Sequence, residues 1–438
     1  AKTNDRFVIG IRISIDEMDH EGLTPHEVLP ICQALDRDGF LDYINIISGT
    51  VSSVAGWTQV VPPMFVEQAY LAAHARQVKE LISLPVLVAA RITQPQVAEQ
   101  IIERGDADLC GMVRANICDP QFANKAREGR TEDIRACIGC NQACIGHGAG
   151  EFGISCIQHP ETGRETIYGE RTPASPARNI MMVGGGPAGM KAAAVAAARG
   201  HKVKLFEKEA QLGGQTRLAQ LLPGRAEFGG IITNLSREMA LAGVNVIKKT
   251  EVTLDFIQSL EPEVIVFATG AVPSASTVEV SDDAHVVDAW SVLKGEANVG
   301  SRVVIGDWRC DWIGLGLAEQ LARAGCHVRL AVNGAVPGAA IHYITRDTWI
   351  GRLHELGVEM IPDIGWQQVM ESSRGQEVAP FARDRQPWFN HYWRLFRATQ
   401  PTAKLTVSDW STPNDPGGPV GQELLYNFVE VQPYFEAK

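Results

Sequence analysis

Four cysteines in one short segment form the strongest chemical signal in the chain. Their pattern is Cys137-x2-Cys140-x3-Cys144-x11-Cys156. Four thiolates can hold an iron–sulfur cluster or a zinc ion, and both need ligands that are close in sequence. Zinc sites usually pair two Cys-x2-Cys motifs, whereas three close cysteines and one distant cysteine suit a cubane. The spacing favours a 4Fe-4S cluster, with zinc and structural free thiols as the alternatives.

The remaining cysteines carry no such pattern. The chain has 438 residues and nine cysteines, too few for a disulfide scaffold. The five outside the cluster motif are scattered: Cys32, Cys110, Cys118, Cys310 and Cys326. We interpret them as small buried hydrophobic residues.

A glycine-rich loop is the second signal. Gly184-x-Gly186-x-x-Gly189 follows a predicted strand and opens an alanine-rich helix, and Glu207 ends the next strand eighteen residues after the last glycine. In such a loop the glycines let a pyrophosphate reach the helix N-terminus, and the acid accepts from a ribose hydroxyl. The loop predicts a cofactor with an adenosine diphosphate moiety. A structural turn without a nucleotide is the alternative.

A second loop in the same position of a later βαβ unit lacks this chemistry. After a predicted strand at 302–305, Trp308 stands where the second glycine would be. An indole would fill the space of a pyrophosphate, and Asp307 or Asp311 would repel it. We therefore expect that no nicotinamide nucleotide binds this unit.

Three arginines are predicted at strand ends: Arg12, Arg91 and Arg114. In a βα barrel, side chains at these ends reach the C-terminal rim, where phosphates bind the loops after the last two strands. Arg91 and Arg114 suit that phosphate site, and Arg12 suits a charge developing on a flavin ring. The alternative for each is a surface ion pair.

The elements that position these residues indicate an α/β protein. Residues 6–130 alternate strand and helix four times, with strands at 7–13, 43–47, 85–90 and 108–113 and helices from Thr24, at 66–81, 95–104 and 120–127. The pattern fits a doubly wound sheet or half of an eight-fold barrel. No glycine-rich loop follows the first strand, which favours the half barrel. The other half would then precede Ala1 or come from a partner.

Composition limits the classes of molecule that the protein is expected to bind. With 40 basic and 51 acidic residues the net charge is −11, which argues against nucleic acid and anionic membranes. There is no apolar run of about 18 residues and no signal-peptide order at the N-terminus. We expect a cytoplasmic protein that binds a small molecule or another protein.

Several motifs together resemble a known family. Residues 137–144, 184–189, 212–215 and 222–224 are similar to the iron–sulfur flavoproteins related to old yellow enzyme. That family includes trimethylamine dehydrogenase, dimethylglycine-demethylating dehydrogenases and 2,4-dienoyl-CoA reductase. The resemblance implies an FMN-binding TIM-type barrel, a 4Fe-4S cluster, and Rossmann-like domains for FAD (or ADP) and for a nicotinamide nucleotide.

The resemblance also assigns residues and domains. Arg12 corresponds to the arginine beside the flavin pyrimidine edge, Arg91 and Arg114 to the FMN phosphate site, and the four motif cysteines to the cluster ligands. The adenine-dinucleotide site is implied at Gly184, Gly186, Gly189, Glu207, Gly214, Gln215 and Gly270. The implied domains are the C-terminal barrel half at 1–130, the cluster segment at 131–178, the FAD domain at 179–300, a degenerate NAD-type domain at 301–370 and a tail at 371–438.

The altered loop after the predicted strand at 302–305 indicates which subgroup of the family the chain resembles. Reductases of the family need an intact nicotinamide site, whereas amine dehydrogenases pass electrons from FMN through the cluster to an electron-transferring flavoprotein. The sequence therefore predicts oxidative N-demethylation, with an NAD(P)H-dependent enoate or 2,4-dienoyl-CoA-type reductase and a non-catalytic electron-transfer subunit as alternatives. The tail at 410–418 resembles one that supports a homodimer.

Departures from the family bear on the substrate. Residues 146–148 are Gly-His-Gly where a substrate-binding tryptophan is expected, so an N-methyl amino acid suits the site better than trimethylamine. Trp57 offers a cation-binding face, or else it is a packed loop residue. The catalytic base would lie before Ala1 and is not assigned, and the segment at 365–410 is shorter than the flavin domain of the family requires.

Overall fold

The computed structural model describes residues 7–149, 152–273 and 285–363. The strands are β1 Gly10–Ser14, β2 Tyr43–Ile47, β3 Val86–Val88, β4 Leu109–Cys110, β5 Asn179–Val183, β6 Lys202–Glu207, β7 Asn245–Lys248, β8 Val264–Phe267, β9 Arg302–Asp307, β10 His327–Val332 and β11 Glu359–Ile361. The α-helices are α1 Pro25–Asp38, α2 Val54–Val60, α3 Ala72–Lys79, α4 Pro95–Glu103, α5 Val113–Cys118, α6 Phe122–Arg127, α7 His147–Ala149, α8 Glu165–Tyr168, α9 Pro187–Ala198, α10 Thr216–Ala219, α11 Gly229–Ala242, α12 Leu254–Leu260, α13 Ala289–Lys294, α14 Trp312–Arg323 and α15 Tyr343–Glu355. Short 3-10 helices span Thr131–Asp133 and Ala226–Phe228, and a π-helix spans Gln142–Gly146.

The described residues divide into two compact units. One contains those within Ala1–Gly270 and His342–Trp349, and the other those within Ala271–Ile341 and Ile350–Lys438. The predicted tail at 371–438, with its dimer motif at 410–418, lies outside the described residues, as does the whole segment at 365–410. Within the described ranges, no helix is both long and apolar enough to cross a membrane.

The first sheet is parallel, in the order β1-β2-β3-β4. One face, with Ile44, Ile46 and Val88, joins a buried core with residues of α1, α3 and α4. The other face presents Arg12 and Leu109, which are both exposed. Helices on one face and exposed side chains on the other correspond to a barrel wall, since a doubly wound sheet has helices on both faces. The expected barrel-type arrangement is confirmed for these four strands.

The first unit contains a second parallel sheet, ordered β7-β6-β5-β8. The inner strand β5 is buried from Ile180 to Val183, α9 packs against β5 and β6, and α11 packs on α9. Gly184 directly follows β5 and has a φ of 107°, a value that glycine adopts without strain. The chain turns at this residue and continues into α9. The predicted strand–glycine loop–helix order is confirmed.

The second unit contains a three-stranded parallel sheet, ordered β11-β10-β9. Helix α14 packs against β9 and β10, so the βαβ unit predicted after residue 301 is present. Its core includes Leu315, Leu330 and Val332, all fully buried.

Some predicted boundaries were wrong. The first strand is Gly10–Ser14, because pairing starts at Gly10 opposite Tyr43. The predicted strand at 108–113 is shortened to Leu109–Cys110, and Val113 begins a helix. The sequence also missed α2, whose N-cap Ser53 accepts a hydrogen bond from the amide of Gly56 at 3.1 Å.

Candidate functional site

The first glycine loop is shaped by two very close backbone approaches. A Cβ on Gly184 would lie 2.3 Å from the carbonyl oxygen of Ala268, and one on Gly189 would lie 2.0 Å from that of Gly184. At Gly186, by contrast, no described heavy atom lies within 4 Å of the Cβ position. Two glycines therefore close the loop, and the third leaves open space at the N-terminus of α9, where a pyrophosphate can bind.

The other predicted nucleotide residues surround this loop. Glu207, only 8% exposed, accepts hydrogen bonds from the amides of Gly185 at 2.7 Å and Glu209 at 2.8 Å. The Cβ position of Gly214 lies 3.2 Å from Cα of Gly186, and that of Gly270 lies 3.4 Å from Nε2 of Gln215. The fold therefore brings these residues to the carboxyl ends of β5, β6 and β8, as a dinucleotide site requires.

The four motif cysteines are all half-buried. Burial raises the pKa of the Cys137 and Cys140 thiols, and raises that of Cys144 to about 11. The pKa of Cys140 is raised further by the charges of Cys144, Cys156 and Cys137. Each thiol is free of disulfide bonds.

A backbone amide points at one of these sulfurs. The Gly139 amide donates to Sγ of Cys137 at 3.4 Å. Among the described residues, no group of three or more His, Cys, Asp or Glu side chains is arranged to hold a metal ion. The assignment of the cysteines as cluster ligands stays a prediction.

Cys156 differs from the other three. Its pKa is lowered to about 7, chiefly by a hydrogen bond from Cys118 and further by the amides of Gln158 and His159, against the opposing effect of burial. Cys118 is only 1% exposed, as expected of a small core residue. Its Sγ accepts from Nε2 of Gln158, two residues after Cys156, at 3.5 Å; this contact was missed, because Cys118 stands nineteen residues before Cys137 and outside the motif.

Arg114 links the barrel wall to the cysteine segment. Its Nη1 donates to Oδ1 of Asn141 at 2.5 Å, next to Cys140 in the chain. Burial raises the pKa of both Cys137 and Cys144, and the positive charge of Arg114 partly offsets that rise. Arg114 lies in α5, four residues after the end of β4, and not at a strand end as expected; its role at an FMN phosphate stays a prediction.

Arg91 has a different set of partners. Its side chain is 3% exposed and forms an ion pair with Glu227, while Nη1 donates to the carbonyl of Val66. The Cβ position of Gly139 lies 3.2 Å from Nε of Arg91. Arg91 thus connects the end of β3, the cysteine segment and the 3-10 helix at Ala226–Phe228. Its two terminal nitrogens therefore have partners, whereas its buried Nε has no hydrogen-bond partner among the described residues.

Arg12 lies inside β1 and not after it, so its expected position at the strand end was wrong. The side chain is exposed on the face opposite the helices, and Nε donates to Oδ1 of Asn45 at 2.5 Å. Asn45 is itself held by a bond from Nδ2 to the carbonyl of Leu87 at 3.2 Å. The guanidinium is therefore fixed and remains accessible to an anionic group.

Trp57 belongs to helix α2 and not to a loop. Its ring meets Tyr343 edge to face, with centroids 5.7 Å apart. Tyr343 in turn stacks with His342 at 4.8 Å, and the Cβ position of Gly146 lies 3.5 Å from Cβ of His342. This arrangement favours the interpretation of Trp57 as a packing residue.

The second loop, in the other unit, is filled by its own carboxylates. Asp307, 7% exposed, accepts from the amides of Arg309 at 3.0 Å and Cys310 at 2.9 Å. Asp311 caps α14 by accepting from the amide of Ile313 at 2.9 Å. Burial, reinforced by the charge of Asp311, raises the pKa of Asp307 to about 7. Amides that could bind a pyrophosphate are therefore already bonded to acids.

Two family models match the chain. Residues 1–133 match the NADH:flavin oxidoreductase / NADH oxidase family, and residues 178–382 match the pyridine nucleotide-disulphide oxidoreductase family. The two matched regions flank the cysteine segment.

Individual proteins match across both regions. N,N-dimethylglycine/sarcosine dehydrogenase from Chromohalobacter salexigens is 35% identical over 378 residues, which are 84% of this chain and 54% of that protein. NADH oxidase from Thermoanaerobacter brockii is 34% identical over 74% of this chain and 50% of its own length. The structure of 2-naphthoyl-CoA reductase matches with a TM-score of 0.74 and 26% identity, over 81% of this chain and 53% of that one. The chain spans about half the length of the proteins that it matches.

Proposed function

The chain belongs to the old yellow enzyme-related family of flavin oxidoreductases, and from that premise we propose that it is part of an amine dehydrogenase. The proposed reaction is the oxidative N-demethylation of a small methylated amine or N-methyl amino acid. A dimethylglycine/sarcosine dehydrogenase is among the relatives that cover most of the chain. It supports N-methyl amino acids as the substrate class.

One observation carries the choice of an amine over a nicotinamide as the electron donor. In the loop after β9, Asp307 and Asp311 accept from the amides of Arg309, Cys310 and Ile313. A nicotinamide pyrophosphate needs such amides and the positive end of the helix dipole, and it would meet two carboxylates instead. Binding there would require breaking these bonds and bringing like charges together.

The residues fit the cofactors of the family. FMN supplies a hydride acceptor when bound, and a 4Fe-4S cluster supplies one-electron transfer. Arg12, held by Asn45 on the exposed face of the barrel wall, would stabilise negative charge on the flavin. Arg114 would bind its phosphate, whereas Arg91 already pairs with Glu227.

The remaining cofactor residues fit in the same way. The open position at Gly186 and the carboxylate of Glu207 would hold the pyrophosphate and ribose of FAD or ADP. Cys137, Cys140, Cys144 and Cys156 would ligate the cluster, because their spacing along the chain suits a cubane, none is in a disulfide bond, and the Gly139 amide donates to Sγ of Cys137. Electrons would leave to an electron-transferring flavoprotein.

Anaerobic reduction tests this proposal. The chain, in the full-length protein that carries it, is purified without oxygen and its released cofactors are identified. We expect dimethylglycine or sarcosine to bleach the visible absorbance of the flavin, while NADPH and NADH leave it unchanged. Rapid bleaching by a reduced nicotinamide without an amine would refute the proposal.

A second candidate is a nicotinamide-dependent reductase. The matches to an NADH oxidase and to 2-naphthoyl-CoA reductase favour it. The carboxylates of the second loop argue against it, and the same bleaching experiment separates the two. A purified chain with a cluster and an adenine nucleotide but without FMN would instead favour an electron-transfer subunit.

A further inference from the structure

A cavity of about 370 Å³ lies next to the first glycine loop and has no role in the proposed function. The segment after β6, helices α10 and α11 and the end of β7 form its walls. Helix α10 contributes Arg217, and β7 contributes Lys248. None of the nine residues that line the cavity is an Asp or a Glu. The cavity is therefore basic, although the chain as a whole has a net charge of −11.

The two basic side chains are available to a ligand. Neither Arg217 nor Lys248 forms an ion pair with a described residue. In contrast, the Arg91 guanidinium of the same unit pairs with Glu227. Arg217 is half-buried and Lys248 is exposed, so an anion can reach both from solvent. Two cations without a carboxylate partner in one concave site attract an anion.

Neutral groups complete the lining of the cavity. Ser236 contributes a hydroxyl, and Gln211 and Gln220 contribute amides. Leu212 and Ile232 contribute apolar surface that a carbon skeleton can contact. A phosphate monoester has three terminal oxygens and about two negative charges, so it can accept from cations, a hydroxyl and amides together. The volume suits a small organic molecule and is too small to enclose a dinucleotide.

The cavity is distinct from the predicted nucleotide site. None of the seven residues assigned to that site lines the cavity. The Gly213 amide donates to the carbonyl of Gly185 in the glycine loop at 2.8 Å. The Cβ position of Gly213 lies 3.2 Å from Cγ of Arg217. Gly213 therefore separates the glycine loop from the cavity, and the side chains that would bind a ligand there differ from those that would bind the nucleotide.

We propose that this cavity binds a small organic phosphate monoester, and that Arg217 and Lys248 neutralise the charge of its phosphate. The guanidinium of Arg217 can donate two parallel hydrogen bonds to the phosphate, and the ammonium of Lys248 acts as a compact point charge. The site is separate from the nucleotide site, and it does not depend on the proposed demethylation.

The test is calorimetric titration of ribose 5-phosphate into the flavin-loaded, full-length protein that carries this chain, with and without saturating ADP. We expect saturable binding whose Kd changes less than about twofold when ADP is present. Arg217→Gln and Lys248→Gln should each weaken it about tenfold or more, because each removes a charge-assisted hydrogen bond. Lys249→Gln removes the same charge from the next residue, which does not line the cavity, and should leave the Kd unchanged.

Two further ligands define the chemistry of the site. Ribose without its phosphate should give no saturable binding. Malate carries two negative charges on carboxylates and should bind more weakly than ribose 5-phosphate. Malate binding of equal strength would overturn the assignment to a phosphate.

The remaining outcomes decide whether the site exists. No saturable binding of ribose 5-phosphate, or binding that ADP displaces, overturns the inference. Equal weakening in Lys249→Gln and Lys248→Gln would reduce the effect to overall charge and also overturn it. All of these results leave the proposed demethylation standing, because the bleaching experiment tests that reaction separately.

Discussion

Two loops of this chain occupy the same place in the same kind of βαβ unit and are opposite in chemistry. The loop after β5 has open space at Gly186 in front of α9. The loop after β9 places Asp307 and Asp311 at the start of α14, where they accept from three backbone amides. A Rossmann-like fold therefore does not by itself make a nucleotide site, since binding depends on whether the helix N-terminus is left available.

The two units also differ in the position of their acidic residue. In the first unit Glu207 lies at the end of the neighbouring strand β6, where it can reach a ribose without facing a phosphate. In the second unit Asp307 lies at the end of β9 itself, and a Cβ on Gly314 of α14 would lie 2.2 Å from its Oδ2. One carboxylate helps to bind a nucleotide, and the other fills its place.

The largest effect is expected where the first loop is tightest. Gly189→Ala puts a methyl group 2.0 Å from the carbonyl oxygen of Gly184, which the backbone can relieve only by moving. We expect the free energy of unfolding to fall by about 3 kcal/mol, measured by denaturant titration. A loss below about 0.5 kcal/mol would show that the loop is looser than its geometry indicates.

The second loop should respond to pH. Because the folded-state pKa of Asp307 is raised to about 7, the folded protein binds the proton more tightly than the unfolded chain. Stability should therefore fall as pH rises from about 4 to about 7, and Asp307→Asn should gain about 2 kcal/mol above about pH 8 and nothing below about pH 4.

A matched acid gives the control for that titration. Asp288 is the N-cap of α13, and its pKa is lowered because bonds from Ser291 and Trp290 outweigh burial. Asp288→Asn should lose stability at neutral pH, the opposite sign. Equal pH profiles for wild type and Asp307→Asn would contradict the account of the second loop.

A substitution at Gly186 should affect nucleotide binding without affecting stability. At Gly186 an added methyl group has no described neighbour within 4 Å, and φ is −75. Gly186→Ala should leave the unfolding midpoint of the nucleotide-free protein unchanged. It should weaken ADP binding about tenfold, measured by calorimetry, because the methyl group enters the space proposed for the pyrophosphate. Unchanged affinity would place the nucleotide elsewhere.

A smaller effect is expected at the ribose acid. Glu207→Gln keeps the shape but loses the charge and turns one acceptor into a donor against a backbone amide. We expect ADP affinity to fall about fivefold. Glu209→Gln is the control, since its side chain is exposed and only its amide contacts Glu207. An equal loss in both variants would point to a general charge effect.

Much of the fold followed from local pattern, and much of the site did not. The helix predicted from Thr24 and the glycine loop after β5 depend on short-range sequence features, and the structure contains both. The partners of Arg91 and Cys118 lie far away in sequence, at Glu227 and Gln158. Such contacts depend on tertiary packing, which spacing along the chain does not report.

The most direct test of the central claim is nucleotide binding to the two loops. ADP, NADH and NADPH are titrated separately into wild-type protein and Gly186→Ala by calorimetry. The account predicts one ADP site per chain that Gly186→Ala weakens, and no saturable site for either reduced nicotinamide outside it. Saturable NADH or NADPH binding that persists in Gly186→Ala would contradict it, because that binding would have to use the loop of Asp307 and Asp311.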